Sequence, residues 1–494
     1  LLLHPTSLPG PHGSGDLGRE AHAFLDFLAA AGQRYWQMLP VVPPAGGNSP
    51  YQSTSAFACS PLLLSLDSLA DEGLLSKADL VPDEPLEEGT LDFGKATRFR
   101  MSRLERAFEA FRADRAAGER LFVFAEQERS WLDDYALYAA LKDAHSDRPW
   151  SEWPTPLRAR ERGALEAAAR EHRVRVRFHQ FLQYELSRQW ARLRAAATAR
   201  GVALFGDMPI FVGHDSADVW ARPHEYFLDA AGMPTVVAGC PPDAFSATGQ
   251  RWGNPLYRWD LHAATGFAWW TARFRRQLAL FDVIRIDHFI GFHRYWEIPA
   301  SEPTAVLGRF LPGPRDAFFG HLRATLGRVP IVAEDLGIVT PEVTALRERW
   351  GFPGMRVLQF SFSPDARDIH PHTIAPSSVV YTGTHDNDTS LGWHDELARK
   401  SATSPEAARE LALVRDWIGA TGRADFVRCL VREAYRSPAH TAIVPVQDVL
   451  GLGTEARMNT PAVTEGNWAY RLSPDQLGDE QARELGGLVA TFDR

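Results

Sequence analysis

The chain has 494 residues, 45% of them hydrophobic and 23% charged, with a formal net charge of −9, a balance that lets a globular protein bury a large core without disulfides or metal. It has no Lys/Arg block to bind nucleic acid or anionic lipid, and no run of 18 apolar residues to span a membrane. Cys59, Cys240 and Cys429 are scattered, which makes neither a disulfide framework nor a zinc spacing and fits a reducing cytoplasm.

The opening "LLLHPTSLPG" lacks a basic flank and is not expected to be a signal peptide. Its first four residues begin a series of eight apolar runs rich in Val, Ile and Leu: "LLLH" (1–4), "YWQMLPVVP" (35–43), "VALFGD" (202–207), "DVIRID" (282–287), "VPIVAED" (329–335), "MRVLQF" (355–360), "SVVYTG" (378–383) and "AIVPVQD" (442–448). Such runs predict buried parallel strands. Helical periods lie between many of them, as in "EAHAFLDFLAAAG" (20–32) and "PEVTALRERWG" (341–351), the latter opening on Pro341 and closing on Gly351.

Eight strands alternating with helices predict an α/β fold, a (β/α)8 TIM barrel; a doubly wound open sheet is the alternative. Residues 1–43 supply strands 1 and 2. Residues 44–201, with helical periodicity and much Ala, Arg, Glu and Leu, predict an inserted, mainly helical subdomain. Residues 202–494 complete the barrel. Within them 208–281, rich in Pro, Gly and Trp, predict a loop insertion over one barrel mouth. No separate C-terminal β-domain is expected.

In a barrel the active site lies where the strands end. Four predicted strand ends carry carboxylates: Asp207 in "FGDMPIF", Asp287 in "RIDHF", Glu334 in "VAEDLG" and Asp386 in "TGTHDND". One such residue is ordinarily a helix N-cap; four point to shared chemistry. Strand alternation puts Arg285 and Asp287 on one face and Ile284, Ile286 and His288 on the other. If the first face lines the mouth, Arg285 holds Asp287 ionised; otherwise the pair is a buried stitch between strands. Retaining cleavage of a glycosidic bond needs an anionic carboxylate and a protonated one, roughly 5–5.5 Å apart. Asp287 suits the first. Glu334, in a strongly apolar run, suits the second, because desolvation raises a carboxyl pKa. His385 and Asp386 could meet sugar hydroxyls, whereas Asp335 faces away. Trp269 and Trp270 read as packing. Adjacent pairs such as Asp287–His288 cannot readily chelate one ion, and "HPH" (370–372) has no carboxylate set beside it, so no metal site is expected.

The segments "LHPTSLPGPHGSGDLG" (3–18), "SPYQSTSAFA" (49–58), "GDMPIFV" (206–212), "GQRWGNPLY" (249–257), "RIDHFIGF" (285–292), "AEDLG" (333–337), "GTHDN" (383–387) and "RMNTP" (457–461) together resemble glycoside hydrolase family 77, the amylomaltases or 4-α-glucanotransferases (disproportionating enzymes). The resemblance spans nearly the whole chain in order. It implies Asp287 as nucleophile, Glu334 as general acid/base and Asp386 as transition-state stabiliser. Arg285, His385 and Asp207 would hold the sugar and orient the nucleophile, with Tyr51 and Trp252 near the donor and acceptor ends. The matched motifs add Asn254, His288 and Asn459 as substrate contacts, and the loop leading into "GQRWGNPLY" adds Phe245. Cys240 and Ala244 stand where the family commonly has Val and Tyr, and Ala462 and Tyr470 where Gly and Trp are usual. The implied activity is transfer of α-1,4-glucan segments among maltooligosaccharides, amylose or glycogen-derived glucans, with glucose as an acceptor and no cofactor, in a monomer or weak homodimer. The alternatives are an α-glucan hydrolase using the same carboxylates and a non-catalytic glucan-binding protein.

Overall fold

Apolar runs without alternating polarity form strands buried on both faces, and in this computed structural model they pair in parallel. The structure describes residues 1–242, 246–363, 369–463 and 465–494. The strands are β1 (Tyr35–Gln37), β2 (Ala203–Pro209), β3 (Val236–Cys240), β4 (Gln250–Pro255), β5 (Val283–Asp287), β6 (Arg294–Pro299), β7 (Arg309–Pro312), β8 (Ile331–Ala333), β9 (Gly354–Val357), β10 (Ser378–Tyr381) and β11 (Thr441–Ile443). Seven lie in one sheet, in the order β1-β2-β5-β8-β9-β10-β11, every pair parallel. Leu2 forms parallel bridges to Gln37 on one side and Pro445 on the other. The opening "LLLH" therefore closes the barrel as its eighth stave, by isolated bridges rather than a continuous strand.

Several strands are shorter than their apolar runs, and in three of them the cause is visible. β1 stops before Pro40, which cannot donate to a ladder. After β9 the chain turns into a 3-10 helix at Leu358–Phe360, and after β11 Pro445 leads into the helix Val446–Val449. Apolar sequence continued; the backbone did not.

Between β1 and β2 the long helices Phe93–Ala113, Arg115–Ala144 and Arg173–Ala199 dominate. The last returns the chain to the barrel, where the indole of Trp190 donates to the Leu280 carbonyl at 2.9 Å. The helix Arg19–Ala30 buries Ala21, Phe24, Leu25 and Leu28, the i, i+3, i+4, i+7 stripe of a barrel-facing helix.

Residues 208–281 are not simply loops. They contain β3 and β4, which join β6 and β7 in an antiparallel sheet of order β4-β3-β6-β7 reaching Pro312. The strands "VVAGC" and "QRWGNP" carry Gly and Pro and lack clean alternation, so their pairing leaves little local trace. Among the described residues no further sheet follows β11, and the last element is the helix Asp479–Phe492.

Alternation along the barrel strands separates two sets. Phe205, Val332, Met355, Val357, Val379, Tyr381 and Ile443 pack together with Leu2 inside the barrel. Leu204, Ile284, Ile286, Ala333 and Val380 belong to the core between sheet and helices. Gly206 faces outward, where an added Cβ would strike the ring of Phe281. Gly206→Ala is expected to destabilise the fold by about 1–3 kcal/mol through overpacking, read as a lower urea midpoint at unchanged slope.

Candidate active site

The question raised by two opposite charges on β5 is settled by its register. Arg285 pairs with Asp207 of β2 on one side and with Val332 of β8 on the other. Val332 belongs to the interior set, so Arg285 and Asp287 point into the barrel mouth. Arg285 Nη1 donates to both oxygens of Asp207, at 2.7 and 2.8 Å, and lies 3.0 Å from Asp287 Oδ1. One guanidinium thus bridges two strand-end carboxylates. Burial pushes the carboxyl of Asp207 up and Arg285 pulls it back, while the paired carboxylates keep Arg285 firmly charged against its own burial. With Arg285 on both of its oxygens, Asp207 is a carboxylate.

Glu334 follows β8 by one residue, on the stave next to β5. Its N–H donates to the Ile286 carbonyl at 3.0 Å, and its own carbonyl accepts from Phe289 N at 3.0 Å. The carboxyl accepts from His288 N at 2.7 Å and from Leu336 N at 2.9 Å. It is 8% exposed. Burial is the largest influence on it, partly offset by Arg285, and pushes its pKa up to about 7. Asp287 adds to that rise, so the two carboxyls sense one another across neighbouring strands.

Asp335 turns the other way. It accepts from Met355 N at 2.8 Å and pairs with Arg347 at 3.1 Å, a link between β8, β9 and the helix Pro341–Arg349.

His288 departs from the alternation expected of β5. The strand ends at Asp287, and His288 takes a left-handed φ of 51°. Its N–H is then presented to Glu334, and its ring meets the edge of Trp252 with centroids 4.8 Å apart. Burial lowers its pKa to about 4, leaving the imidazole neutral. Trp252 lies on β4, so the antiparallel sheet reaches the mouth. Gln52 holds it there: its side-chain amide donates to the Trp252 carbonyl at 3.2 Å and to Asn254 Oδ1 at 3.0 Å. Asn254 is buried and donates to the Val212 carbonyl at 2.9 Å, so its amide is spent on protein contacts.

On the opposite rim, the loop after β10 carries His385 and Asp386. Asp386 has a side chain 51% exposed, its Oδ1 3.4 Å from His385 Nε2. Asn459 Nδ2 donates to that same oxygen at 2.6 Å, and Arg457 donates to the Asp386 carbonyl at 2.7 Å. Tyr51 arrives from the loop after β1, donating to Asp207 Oδ2 at 2.7 Å and stacking on His385 with centroids 4.8 Å apart. Trp468 packs behind both rings, at 5.8 Å from Tyr51 and 5.9 Å from His385.

Asp207, Arg285, Asp287, Glu334, Tyr51 and His385 are therefore joined by direct contacts or neighbouring staves, with Asp386 and Asn459 on one rim and His288 and Trp252 on the other. Phe245 lies outside the described residues. Three residues of the site were not singled out from sequence. Gln52 stands beside Tyr51 in "SPYQ" and Arg457 opens "RMNTP", so motif context could have found them. Trp468, in "GNWAY" with a left-handed φ of 65°, carried no such signal.

The family model described as 4-alpha-glucanotransferase, of glycoside hydrolase family 77, matches residues 3–476. A curated 4-alpha-glucanotransferase of Thermus thermophilus is 49% identical over 501 residues, covering 100% of this chain and 98% of the relative. One from Synechocystis sp. is 44% identical over 500 residues, covering 100% and 97%. Amylomaltase from Streptococcus agalactiae, solved in complex with acarbose, superposes with a TM-score of 0.95 at 33% identity, covering 100% of this chain and 99% of that one.

Proposed function

The chain belongs to the 4-α-glucanotransferase family, glycoside hydrolase family 77, and from that premise we propose that Asp287, Glu334 and Asp386 carry out glucan transfer at the barrel mouth. The enzyme is a 4-α-glucanotransferase acting on α-1,4-glucans.

Asp287 attacks the anomeric carbon while Glu334 gives its proton to the departing oxygen, leaving a glucosyl ester on Asp287. The 4-hydroxyl of an acceptor sugar then attacks the same carbon and yields its proton to ionised Glu334. Two inversions give net retention, and the acid is restored. Every proton and electron pair in the cycle comes from the two carboxyls and the sugars. Arg285, bridging Asp207 and Asp287, holds the nucleophile in place. Asp386, fixed by Asn459 and open to solvent, accepts bonds from ring hydroxyls as positive charge develops. Trp252 and His288 form an acceptor-side wall, for which Gln52 and Asn254 serve as anchors.

The observation that carries this reading is the placement of Asp287 and Glu334 at the ends of adjacent, in-register strands, with the glutamate's pKa at about 7. Maltooligosaccharides, amylose and glycogen-derived glucans are the proposed donors, with glucose a proposed acceptor, used by a cytoplasmic monomer or weak homodimer. Incubation with maltotriose is expected to give glucose together with chains longer than the substrate. Products shorter than maltotriose alone would mean that water, not sugar, takes the glucosyl group.

A further inference from the structure

Tyr51 makes two polar contacts through one oxygen. Its hydroxyl lies 2.7 Å from Asp207 Oδ2 and 3.3 Å from His385 Nδ1. A phenol has one hydrogen to give. Asp207, with Arg285 donating to both its oxygens, is a carboxylate and can only accept, so the phenol hydrogen points to it. The oxygen of Tyr51 then offers only lone pairs to the imidazole. His385 Nδ1 can bond to it in one way, by donating a hydrogen of its own.

We propose that Tyr51, backed by the Asp207–Arg285 pair, is a positioning residue that locks His385 with its hydrogen on Nδ1. The consequence concerns the other nitrogen. With Nδ1 committed, Nε2 is the one ring atom able to gain or lose a hydrogen, and it is the atom 3.4 Å from Asp386 Oδ1. The lock turns the variable nitrogen toward the stabilising carboxylate and the sugar between them. It also gives the buried Arg285 pair on β2 and β5 a route to the opposite rim: Arg285 to Asp207, Asp207 to Tyr51, Tyr51 to His385. Stacking of Tyr51 on His385 at 18° from parallel, with Trp468 packed behind, fixes the plane of the imidazole, and the contact to the Tyr51 oxygen distinguishes Nδ1 within that plane. The second nitrogen of a functional histidine is commonly set in this manner, by the hydrogen bond its partner nitrogen makes.

The inference rests on the sugar-transfer reading for its purpose, but its test does not need catalysis. Full-length protein labelled with 15N-histidine, with His385 assigned by difference against His385→Gln, is expected to show Nδ1 protonated across the pH range in which the fold is intact. In Tyr51→Phe, which keeps the ring and the stack, the hydrogen is expected to redistribute to Nε2. Transfer kcat falls roughly 10–100-fold, with a smaller change in KM, the scale on which removing the group that orients a functional histidine is felt. An unprotonated Nδ1 in the unmodified protein overturns the lock without recourse to any variant. Loss of activity in Tyr51→Phe with unchanged His385 shifts also overturns it, leaving Tyr51 as a sugar platform alone. A protonated Nδ1 combined with an active Asp287→Asn would instead keep the lock and discard the catalytic assignment.

Discussion

Asp287→Asn is expected to lower the transfer rate on maltotriose by at least about three decades, because the amide can neither attack the anomeric carbon nor leave it as a stable anion. The substitution is nearly isosteric, and the fold should tolerate it. Arg285 loses one of two carboxylate partners but keeps its contacts to both oxygens of Asp207, so no buried charge is stranded. An unchanged circular dichroism spectrum and urea midpoint would separate lost chemistry from lost structure. Mass spectrometry after rapid quench should find a glucosyl adduct on the parent enzyme and none on the variant. A fall of only a few-fold would move the nucleophile to another residue, with Asp207 and Asp386 the carboxylates left to consider.

Glu334→Gln is expected to slow transfer between natural glucans by about two to four decades, the usual worth of a positioned proton donor. Formation of the glucosyl-enzyme from a maltosyl fluoride should suffer far less, since fluoride departs with little help from a proton. Equal losses on both substrates would remove Glu334 from the acid role. The pH dependence gives a second, independent reading. As the proposed acid Glu334 would begin protonated, and burial raises its pKa to about 7. kcat/KM on maltotriose should therefore be undiminished below about pH 7 on account of this group and fall tenfold per pH unit well above it. In Glu334→Gln that alkaline limb should vanish from the residual transfer on maltotriose, whereas the fluoride reaction should lack it in parent and variant alike. A limb that persists in the variant belongs to another group.

The substitutions act on a site whose parts were unequally visible beforehand. Each of Asp207, Asp287 and Glu334 closes a short run of Val, Ile or Leu, and alternation alone put Arg285 on the same face as Asp287. Those are local properties. A strand's period of two is written into consecutive residues, and a charge placed against it stands out wherever the strand lies in the fold. The pairing of Asp335 with Arg347 and Met355, on the far side of β8, follows from the same parity. His288 shows the limit: parity assigned it to the outer face, but the strand had already ended, and its left-handed backbone turned its N–H toward Glu334 instead.

By itself, then, the sequence determined the parallel barrel, the strand ends that carry the carboxylates, and the family to which the chain belongs, because each of these is carried by short-range pattern or by residue identity in order. Only the tertiary structure decided how the barrel closes through Leu2, that Gly- and Pro-bearing segments pair as the sheet holding Trp252, and that Tyr51 meets His385 across 334 positions of chain. It also set the acidity of Glu334, since desolvation depends on what surrounds a carboxyl in space and not on its neighbours in sequence. Contacts between residues so far apart have no period to announce them; they exist once the barrel has brought the ends of its strands to one mouth.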